Sequence, residues 1–542
     1  MLFLCLSGLA RGTDYYLSPS GDDRNPGTSP SRAWRTVEKV NGTDFQPGDK
    51  ILFEGGRTFE GSINLGPGDA GLPENPVTVS SYGTGGAVIQ SGSRRGLFAY
   101  NCGGIVVKNL AFTGSGRTDP AGSDGVSFYT DLPGGIKLDY VRIDSIEVSD
   151  YRRTGIAVGA GHASRSGFED VRITNSVARD NGDKGICVYG AWPADPAKRE
   201  NRNVTIARCK AFDNPGIAGQ TGHTGNGIIL SGVEDALVET CEAWNNGELN
   251  GGPEGGPIGI WAWEATRVII QKCESHHNKS ANGKDGGGFD LDGGCIDCVM
   301  QYNYSHDNHG AGYGIYQFYG AGPYQNNVVR YNISENDGLA GGYGPITFWS
   351  TASSGGIFGT KVYNNTFVAS PKTTAAAVMD LAVDSTFVHG TEFYNNIIVT
   401  APGKKAVEIP FSSGGWTFLN NDYWTDGGAV QFGWDGKTWI GLDAWRRASG
   451  QEKRNGVPIG FETDPLLADP GKGGTIGDPA NLGTLEAYRL KPGSPMINAG
   501  LDLRSLFGTD TGLQDFYGLA LPHGPGFDVG ASEYADPSPT NP

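Results

Sequence analysis

The sequence predicts an all-β fold, a right-handed parallel β-helix of about ten turns or more with three strands per turn. Three observations lead to this prediction. Similar segments recur about every 30 residues, apolar and polar residues alternate within them, and 87 of the 542 residues are glycine. Such a repeat is typical of stacked short strands, because helical repeat arrays would show a 3.6-residue period instead. Crossovers between parallel strands are right-handed as a rule.

The N-terminal segment, residues 1–12, reads "MLFLCLSGLARG", an apolar run followed by small residues. This pattern resembles a clipped secretory signal and predicts a secreted or periplasmic protein. No later stretch approaches the roughly 18 apolar residues of a membrane span. The mature protein is therefore expected to act without a membrane partner.

The charge of the chain argues against polyanionic partners. The formal net charge is -17 at pH 7, and nucleic acid, anionic membranes and strongly acidic polysaccharides would be repelled at long range. A neutral or weakly charged partner is expected.

Residues 13–434 are predicted to form the solenoid and its N-terminal cap. Each repeat joins two short strands, as in "VTIARCKAFDN", and the residue at the junction recurs every 25 to 33 residues. Stacked asparagines at this bend can hydrogen-bond along the solenoid axis, and stacked cysteines fit there as small, free thiols. The junction residues are Ser176, Cys209, Cys241, Cys273, Asn303, Asn332, Asn365, Asn396 and Asn421.

One strand of each repeat usually follows glycine and alternates between inward apolar residues and outward residues, as in "GIWAWE" and "GFDLDG". Met379 and Leu381 are among those predicted to point inward. The outward positions form two files with about 4.8 Å between turns. The first file is Cys187, Ile229, Trp261, Asp290, Tyr316, Thr347, Asp380 and Glu408, and the second is Tyr189, Ser231, Trp263, Asp292, Phe318, Trp349, Ala382 and Pro410.

Aromatic side chains frame the two central aspartates of these files, and glycine-rich loops at 245–256 and 278–287 are predicted to form walls beside them. The resulting groove suits sugars, because aromatic faces bind sugar rings while carboxylates bind hydroxyls or act on a scissile bond. The alternative is a second small core in which the aspartates cap loop amides. The predicted substrate-binding residues are Trp261, Trp263, Tyr316, Phe318, Trp349, Glu254, His309 and Asp380.

Asp290 and Asp292 are the candidate catalytic pair. Their Cα atoms are expected roughly 6.5 to 7 Å apart, which lies between the carboxylate separations of retaining and inverting glycosidases. Asp292, between Trp263 and Phe318 in its file, is expected to have a raised pKa and to act as the acid. Asp290 is expected beside a tyrosine hydroxyl, which suits an ionised base or nucleophile.

Glu264, just past the strand that carries Trp263, is a third catalytic candidate. Asp285, on the adjoining loop, is expected to form hydrogen bonds within the loop or to bind substrate. None of the sixteen outward positions is basic. Proton abstraction from a uronate would need a basic residue and cations or calcium. The sequence therefore predicts no metal or cofactor. Calcium would be expected only if the protein were instead a lyase that removes a proton from a uronate.

With these features, the chain resembles the right-handed parallel β-helix carbohydrate-active enzymes, such as pectate lyases, polygalacturonases and several glycoside hydrolases. "DYYLSPSGDDRNPGTSPSRAWRTVEKV" is similar to their N-terminal cap, and "YRLKPGSPMINAGLDL" to their closing segment. "GFDL" is similar to the calcium-site strand of polysaccharide lyase family 9, although Gly286 and Gly287 replace two aspartates there and Tyr316 stands in place of its catalytic lysine. The resemblance implies a glycoside hydrolase with aspartates as acid and base.

The sequence thus predicts a secreted glycoside hydrolase that cleaves a polysaccharide or oligosaccharide with two carboxylates in a groove on one sheet. A calcium-assisted polysaccharide lyase and a non-catalytic carbohydrate-binding solenoid are the alternatives. A monomer is expected. Residues 435–542, which include a short helix in "LDAWRRASGQ", are expected to pack on or cap the solenoid.

Overall fold

The computed structural model describes residues 12–535 except for 162–164, 352–354, 382–386 and 414. Almost all of the predicted signal segment, and the last seven residues, lie outside the described residues. Within them, successive turns pair strand by strand in parallel, so the predicted β-helix is confirmed. None of the helices in this part of the chain has the length and apolar character of a membrane span.

Three sheets run along the solenoid. The site sheet, which carries the two aspartates, contains Ile63–Leu65, Leu97–Tyr100, Val126–Thr130, Thr154–Ala160, Lys184–Tyr189, Asn226–Glu239, Ile258–Gln271, Gly287–Leu291, Tyr313–Gln317, Ile346–Ser350, Val378–Asp380, Lys405–Ile409, Gln431–Trp434 and the antiparallel Lys437–Ile440. The second sheet contains Asp14–Leu17, Lys50–Glu54, Val77–Tyr82, Ile105–Lys108, Lys137–Asp144, Gly167–Thr174, Asn201–Ala207, the C-terminal halves of the two 14-residue strands, Val299–Gln301, Val328–Arg330, Lys361–Tyr363, Thr391–Tyr394 and Trp416–Leu419.

The third sheet contains Thr58–Glu60, Ala87–Gly92, Leu110–Gly114, Glu147–Ser149, Val177–Arg179, Lys210–Phe212, Glu242–Trp244, Glu274–His276, Tyr304–His306, Ile333–Glu335, Thr366–Ala369, Ile397–Thr400 and Asp422–Thr425. Short strands pair at Tyr324–Gln325, Ile357–Phe358 and Val388–His389, and at Lys453–Arg454 and Val457–Pro458. The α-helices are Val37–Asn41, Leu442–Ser449 and Leu503–Phe507, and the 3-10 helices are Pro30–Arg32, Pro67–Asp69, Pro479–Thr484 and Glu486–Tyr488. The helix expected after the solenoid is therefore present.

The inward residues of the site sheet fix how its turns align. One inward file, with every member fully buried, is Ile156, Ile186, Ile228, Ile260, Phe289, Tyr313, Ile346, Val378, Val407 and Phe432. Burying one such side chain contributes about 1.5 to 3 kcal/mol. A slip of one residue would expose the whole file, so the outward side chains are held at defined heights along the axis.

The predicted asparagine ladder is present at the junction residues. The side-chain amide of Asn303 donates to Asn332 at 3.1 Å, and the pattern continues to Asn421. The ladder ends on Glu452, whose Oε1 accepts the Asn421 amide at 2.8 Å. In the described part of the chain the cysteines are free and buried, in agreement with the predicted thiols.

A second ladder, absent from the predictions above, lies five residues after each of the first six junction residues. Its asparagines donate along the axis and end on a carboxylate, Asp337, through a 2.8 Å bond. The members are Asn181, Asn214, Asn246, Asn278, Asn308 and Asp337. Its sequence signal is the asparagine that ends most of the repeats, as in "KAFDN" and "YSHDN". With both ladders, the two bends beside the third sheet are stiffened by buried hydrogen bonds.

The C-terminal segment packs on the third sheet through buried carboxylates. Glu274 accepts the backbone N–H groups of Ile476 and Gly477 at 2.7 and 2.8 Å. Glu335 accepts the Gly473 N–H at 2.8 Å and the Tyr488 hydroxyl. This packing leaves the outer face of the site sheet clear of the segment that contains these contacts.

Candidate active site

The strand Gly287–Leu291 places Asp290 and the following Asp292 on the outer face, as predicted. Phe289 and Leu291 are fully buried in the core, so the residues between and after them point outward. Asp290 is aligned with Trp261 of the preceding turn. Both aspartates line one cavity with a volume of about 730 Å³.

The alignment with the following turn differs from the predicted files by two residues. Asp290 is aligned with Gly314, not Tyr316, because Phe289 pairs with Tyr313 and stacks on its ring at a centroid distance of 5.4 Å. Tyr313 is accepted in the core because its hydroxyl, which has one hydrogen to donate, lies within hydrogen-bond distance of two buried carbonyl oxygens, at 2.8 and 3.0 Å. Continuing this alignment by two residues places Tyr316 beside Asp292. The Tyr316 hydroxyl has no hydrogen-bond partner among the described residues.

Gly314 leaves room for the Asp290 carboxyl group and the Tyr316 ring. A Cβ atom at this position would lie 2.9 Å from Asp290 Oδ1 and 2.7 Å from a Tyr316 ring carbon. Real Cβ atoms do not approach other atoms so closely, and the interior around them is close-packed. A glycine is thus required beside Asp290 for steric reasons.

We expect Gly314→Ala to lower activity at least tenfold while the fold is retained, because a displacement of about 1 Å in an active site can cost 10²-fold in rate. Circular dichroism and activity on the same preparation measure this. Gly342→Ala is a control for mutation to alanine, since a Cβ there meets no atom within 4 Å. Gly342 has a positive φ of 82°, so an alanine there adds backbone strain that an alanine at Gly314 does not. A larger loss of activity in Gly314→Ala is therefore not explained by backbone strain. Full activity of Gly314→Ala would contradict this account.

The cavity has aromatic walls. Trp192, on the loop after Lys184–Tyr189, contacts Trp263 and Phe318 at centroid distances of 5.5 and 5.6 Å. The lining residues are Trp192, His223, Glu254, Gly255, Gly256, Ile258, Trp261, Trp263, Lys284, Asp285, Asp290, Asp292, Tyr316, Phe318, Tyr319, Tyr343, Trp349 and Leu381. Of the predicted substrate-binding residues, the structure brings Trp261, Trp263, Tyr316, Phe318, Trp349 and Glu254 together here. The alternative of a small core is present in part, because these rings also pack into two small apolar clusters beside the cavity, one around Trp261 and one around Tyr316.

A third carboxylate, Asp285, enters the cavity from the loop wall. Its Oδ2 accepts the Gly256 N–H at 2.7 Å and its Oδ1 accepts the Tyr343 hydroxyl at 3.2 Å. The Tyr343 hydroxyl also accepts the backbone N–H of Asp285 at 3.0 Å, so the carboxyl group and its backbone are both held in place. Asp285 and Asp292 are both partly exposed, whereas Asp290 is only 2% exposed.

The three carboxylates have different protonation preferences. Burial, with the neighbouring charges of Asp292 and Asp285, holds the pKa of Asp290 well above its usual range. Burial also raises the pKa of Asp292 to about 7, opposed by the Gly293 N–H that donates to it at 2.7 Å. The pKa of Asp285 is raised by burial, but the Gly256 and Tyr343 hydrogen bonds oppose the rise. Of the three carboxyl groups, Asp290 therefore favours the neutral form most strongly. This corrects the prediction that Asp290 is ionised.

Glu264 does not line the cavity, and its role as a catalytic residue is not supported. Its Oε2 accepts from Arg199 at 2.8 Å and its Oε1 accepts the Gly322 N–H at 2.6 Å. Both side chains of the ion pair are at most 2% exposed. A carboxylate held by two donors in the interior stabilises the structure and has no access to a substrate.

His309 and Asp380 also lie outside the cavity lining. His309 is in the turn after Tyr304–His306, where its N–H donates to the Asn278 carbonyl at 2.9 Å. Asp380 is aligned with Phe348, a core residue, and is 2% exposed. The predicted alternation of this strand was out of phase by one residue, because Val378 fills the inward position.

Consequently Met379 and Leu381, predicted inward, are shifted to the other face, and Leu381 packs with Tyr316 and Trp349 at the cavity. Trp192, His223, Tyr343 and Lys284 were also missed. These residues lie on loops, where no strand periodicity indicates a direction. Only the tryptophan carries a signal, as the one aromatic residue of the loop "GAWPADPAKRE".

No family model matches this chain. A lacto-N-biosidase of Bifidobacterium longum subsp. longum is 27% identical over 421 residues, which cover 60% of this chain and 26% of that protein. The chain thus spans about a quarter of the length of that relative.

Two solved structures are similar to the chain. The native GH136 lacto-N-biosidase from Eubacterium ramulus is 18% identical with a TM-score of 0.52, covering 76% of this chain and 68% of that chain. A pectate lyase is 15% identical with a TM-score of 0.44, covering 98% of each chain. The Eubacterium ramulus structure shows that the chain shares the parallel β-helix fold of a carbohydrate-active enzyme, and the resemblance predicted from its sequence is confirmed at that level.

Proposed function

We propose that this protein is a glycoside hydrolase that acts on a neutral oligosaccharide. The observation that carries the proposal is a cavity with aromatic walls in which two partly exposed carboxylates, Asp285 and Asp292, approach from a loop and from the sheet. Acid and base groups must act on a glycosidic bond from different positions around the sugar. The lacto-N-biosidase relative supports the same class of reaction and makes a lacto-N-bioside a first substrate to test.

In this proposal Asp292 is the general acid. With its pKa raised to about 7, it carries a proton in weakly acidic solution and transfers that proton to the glycosidic oxygen as the bond to the anomeric carbon breaks. Asp285 supplies the anionic carboxylate, because its two hydrogen bonds favour the ionised form. It either attacks the anomeric carbon or takes a proton from the attacking water, and the configuration of the product distinguishes these two routes.

Asp290 is the neutral neighbour of this pair. It is almost inaccessible and lies on the same face of the sheet as Asp292. Asp290 and Asp292 would therefore approach the sugar from one side, whereas an acid and a base must act from different positions around it. A protonated carboxyl group there adds no charge to the cavity floor. We therefore assign the reaction to Asp285 and Asp292, in place of the Asp290 and Asp292 pair expected from the sequence.

The test is product analysis by mass spectrometry on neutral oligosaccharides, a lacto-N-bioside and uronate polysaccharides, each with and without EDTA. We expect saturated products in EDTA from a neutral substrate, because the two carboxylates need no metal for this reaction. Unsaturated products that disappear in EDTA would instead identify a calcium-assisted lyase. Binding without any product would identify a carbohydrate-binding solenoid.

A further inference from the structure

His223 lines the cavity from the loop that precedes the strand Asn226–Glu239. Its ring meets the edge of Trp261 at a centroid distance of 5.2 Å and an interplanar angle of 73°. The side chain is partly exposed. The proposed reaction assigns no role to this residue.

The buried side chain of Asn226 determines which nitrogen of His223 carries the proton. Asn226 Oδ1 accepts the backbone N–H of Ile258 at 3.1 Å and the indole N–H of Trp261 at 3.0 Å. Both partners can only donate, so this atom is the oxygen and the other end of the amide is the NH₂ group. Asn226 Nδ2 lies 3.2 Å from His223 Nδ1 and therefore donates to it.

It follows that His223 is neutral, with its hydrogen on Nε2. Burial and the nearby charge of Lys184 lower the pKa of His223 to about 4, so the same form persists through neutral pH. Among the described residues, none accepts a hydrogen bond from Nε2, although the ring is fixed by Asn226 and Trp261. A fixed donor without a protein acceptor is thus present at the cavity.

We propose that His223 is a substrate-binding residue whose Nε2–H donates to an uncharged oxygen, a hydroxyl or carbonyl group, of the sugar in the cavity. This inference rests on the proposed function. A neutral acceptor is favoured because the carboxylates of Glu254 and Asp285 line the same cavity and outnumber the lysine in the lining, Lys284, so the net negative charge would oppose an anionic group. This hydrogen bond would fix the orientation of the sugar ring against the aromatic side chains of the cavity.

The test combines a variant with substrate analogues. His223→Phe keeps a ring against Trp261 but removes the donor. We expect kcat/KM to fall roughly 2- to 12-fold, the factor that corresponds to one hydrogen bond to a neutral acceptor. A series of substrates that each lack one hydroxyl or the amide carbonyl is then measured on both proteins. One analogue should be a poorer substrate for the parent protein only, because its missing oxygen is the partner of Nε2.

A purely structural role of His223 would lower kcat/KM equally for every analogue, and this result would overturn the inference. An unchanged kcat/KM in a folded His223→Phe protein would do the same while leaving the hydrolase proposal intact. If His223→Phe does not fold, His223→Gln, which keeps an amide donor, is compared with His223→Ala. Equal loss in these two variants also overturns the inference. A parent protein that hydrolyses no substrate would overturn the proposed function and this inference together.

Discussion

Asp292→Asn is expected to lower kcat/KM by about 10²- to 10⁴-fold on an oligosaccharide with a sugar leaving group, which is the usual contribution of a general acid. The loss should be much smaller on a nitrophenyl glycoside, because that leaving group departs without a proton. Asp285→Asn should lose activity on both substrates. Initial rates at matched, circular-dichroism-checked concentrations measure both effects.

Asp290→Asn is the matched comparison, since an amide resembles the protonated carboxyl group that burial favours at this position. We expect it to lose less activity than either of the other two variants. If Asp290→Asn is as inactive as Asp292→Asn, the pair expected from the sequence was correct and our assignment of Asp285 is wrong.

The pH profile gives the same assignment an independent check. Asp292 must be protonated to act, and its pKa is raised to about 7, so kcat/KM should fall as the pH rises through about 7. The alkaline fall should be absent from Asp292→Asn. It should be unchanged in Glu254→Gln, whose carboxylate is exposed on the cavity wall.

The fold was predictable because its determinants are periodic. Inward residues alternate along each strand, and the junction residues recur once per turn, so the solenoid and its asparagine ladder follow from spacing alone. Asp290, Asp292 and five aromatic residues face the cavity as predicted, for the same reason. Each lies on a strand or directly after one, so the alternation of its neighbours fixes its direction.

The rest of the cavity depends on features without a period. The files shifted because Tyr313 was accepted in the core, which required two carbonyl acceptors that are distant in sequence. Asp285, Trp192 and His223 lie on loops of different length, so their positions depend on tertiary contacts. Glu264 was a catalytic candidate in the sequence because nothing there indicates its ion pair with Arg199, which is 65 residues away.

Glu264 is the residue whose loss should most affect stability. Arg199 binds Glu264, the Gly294 carbonyl at 2.9 Å and the Thr266 hydroxyl at 3.3 Å, all without access to solvent. Removing one partner of a buried pair leaves an uncompensated charge and costs roughly 3 to 5 kcal/mol. We expect Glu264→Ala to lower the free energy of unfolding by this amount, measured by urea denaturation.

The same substitution should also lower activity, because Glu264 fixes two cavity loops. Arg199 ends the loop that carries Trp192, and Gly322, whose N–H Glu264 accepts, follows the turn that carries Phe318. Releasing both loops would separate the aromatic rings that now lie 5.6 Å apart. We therefore expect KM to rise, with a smaller change in kcat, since the reacting aspartates stay on the sheet and on another loop.

Asp235→Ala is the matched control. Asp235 pairs with Arg267 at 2.6 Å and has a φ of 55°, close to the 46° of Glu264, so alanine carries similar backbone strain at both positions. The difference is exposure, since the Arg267 and Asp235 side chains are 50% and 45% exposed, and an exposed pair contributes only about 0 to 1 kcal/mol. Equal destabilisation by the two variants would show that backbone strain, not the buried ion pair, accounts for the loss. A larger loss in Glu264→Ala, with raised KM, would show that the carboxylate supports the cavity from the interior.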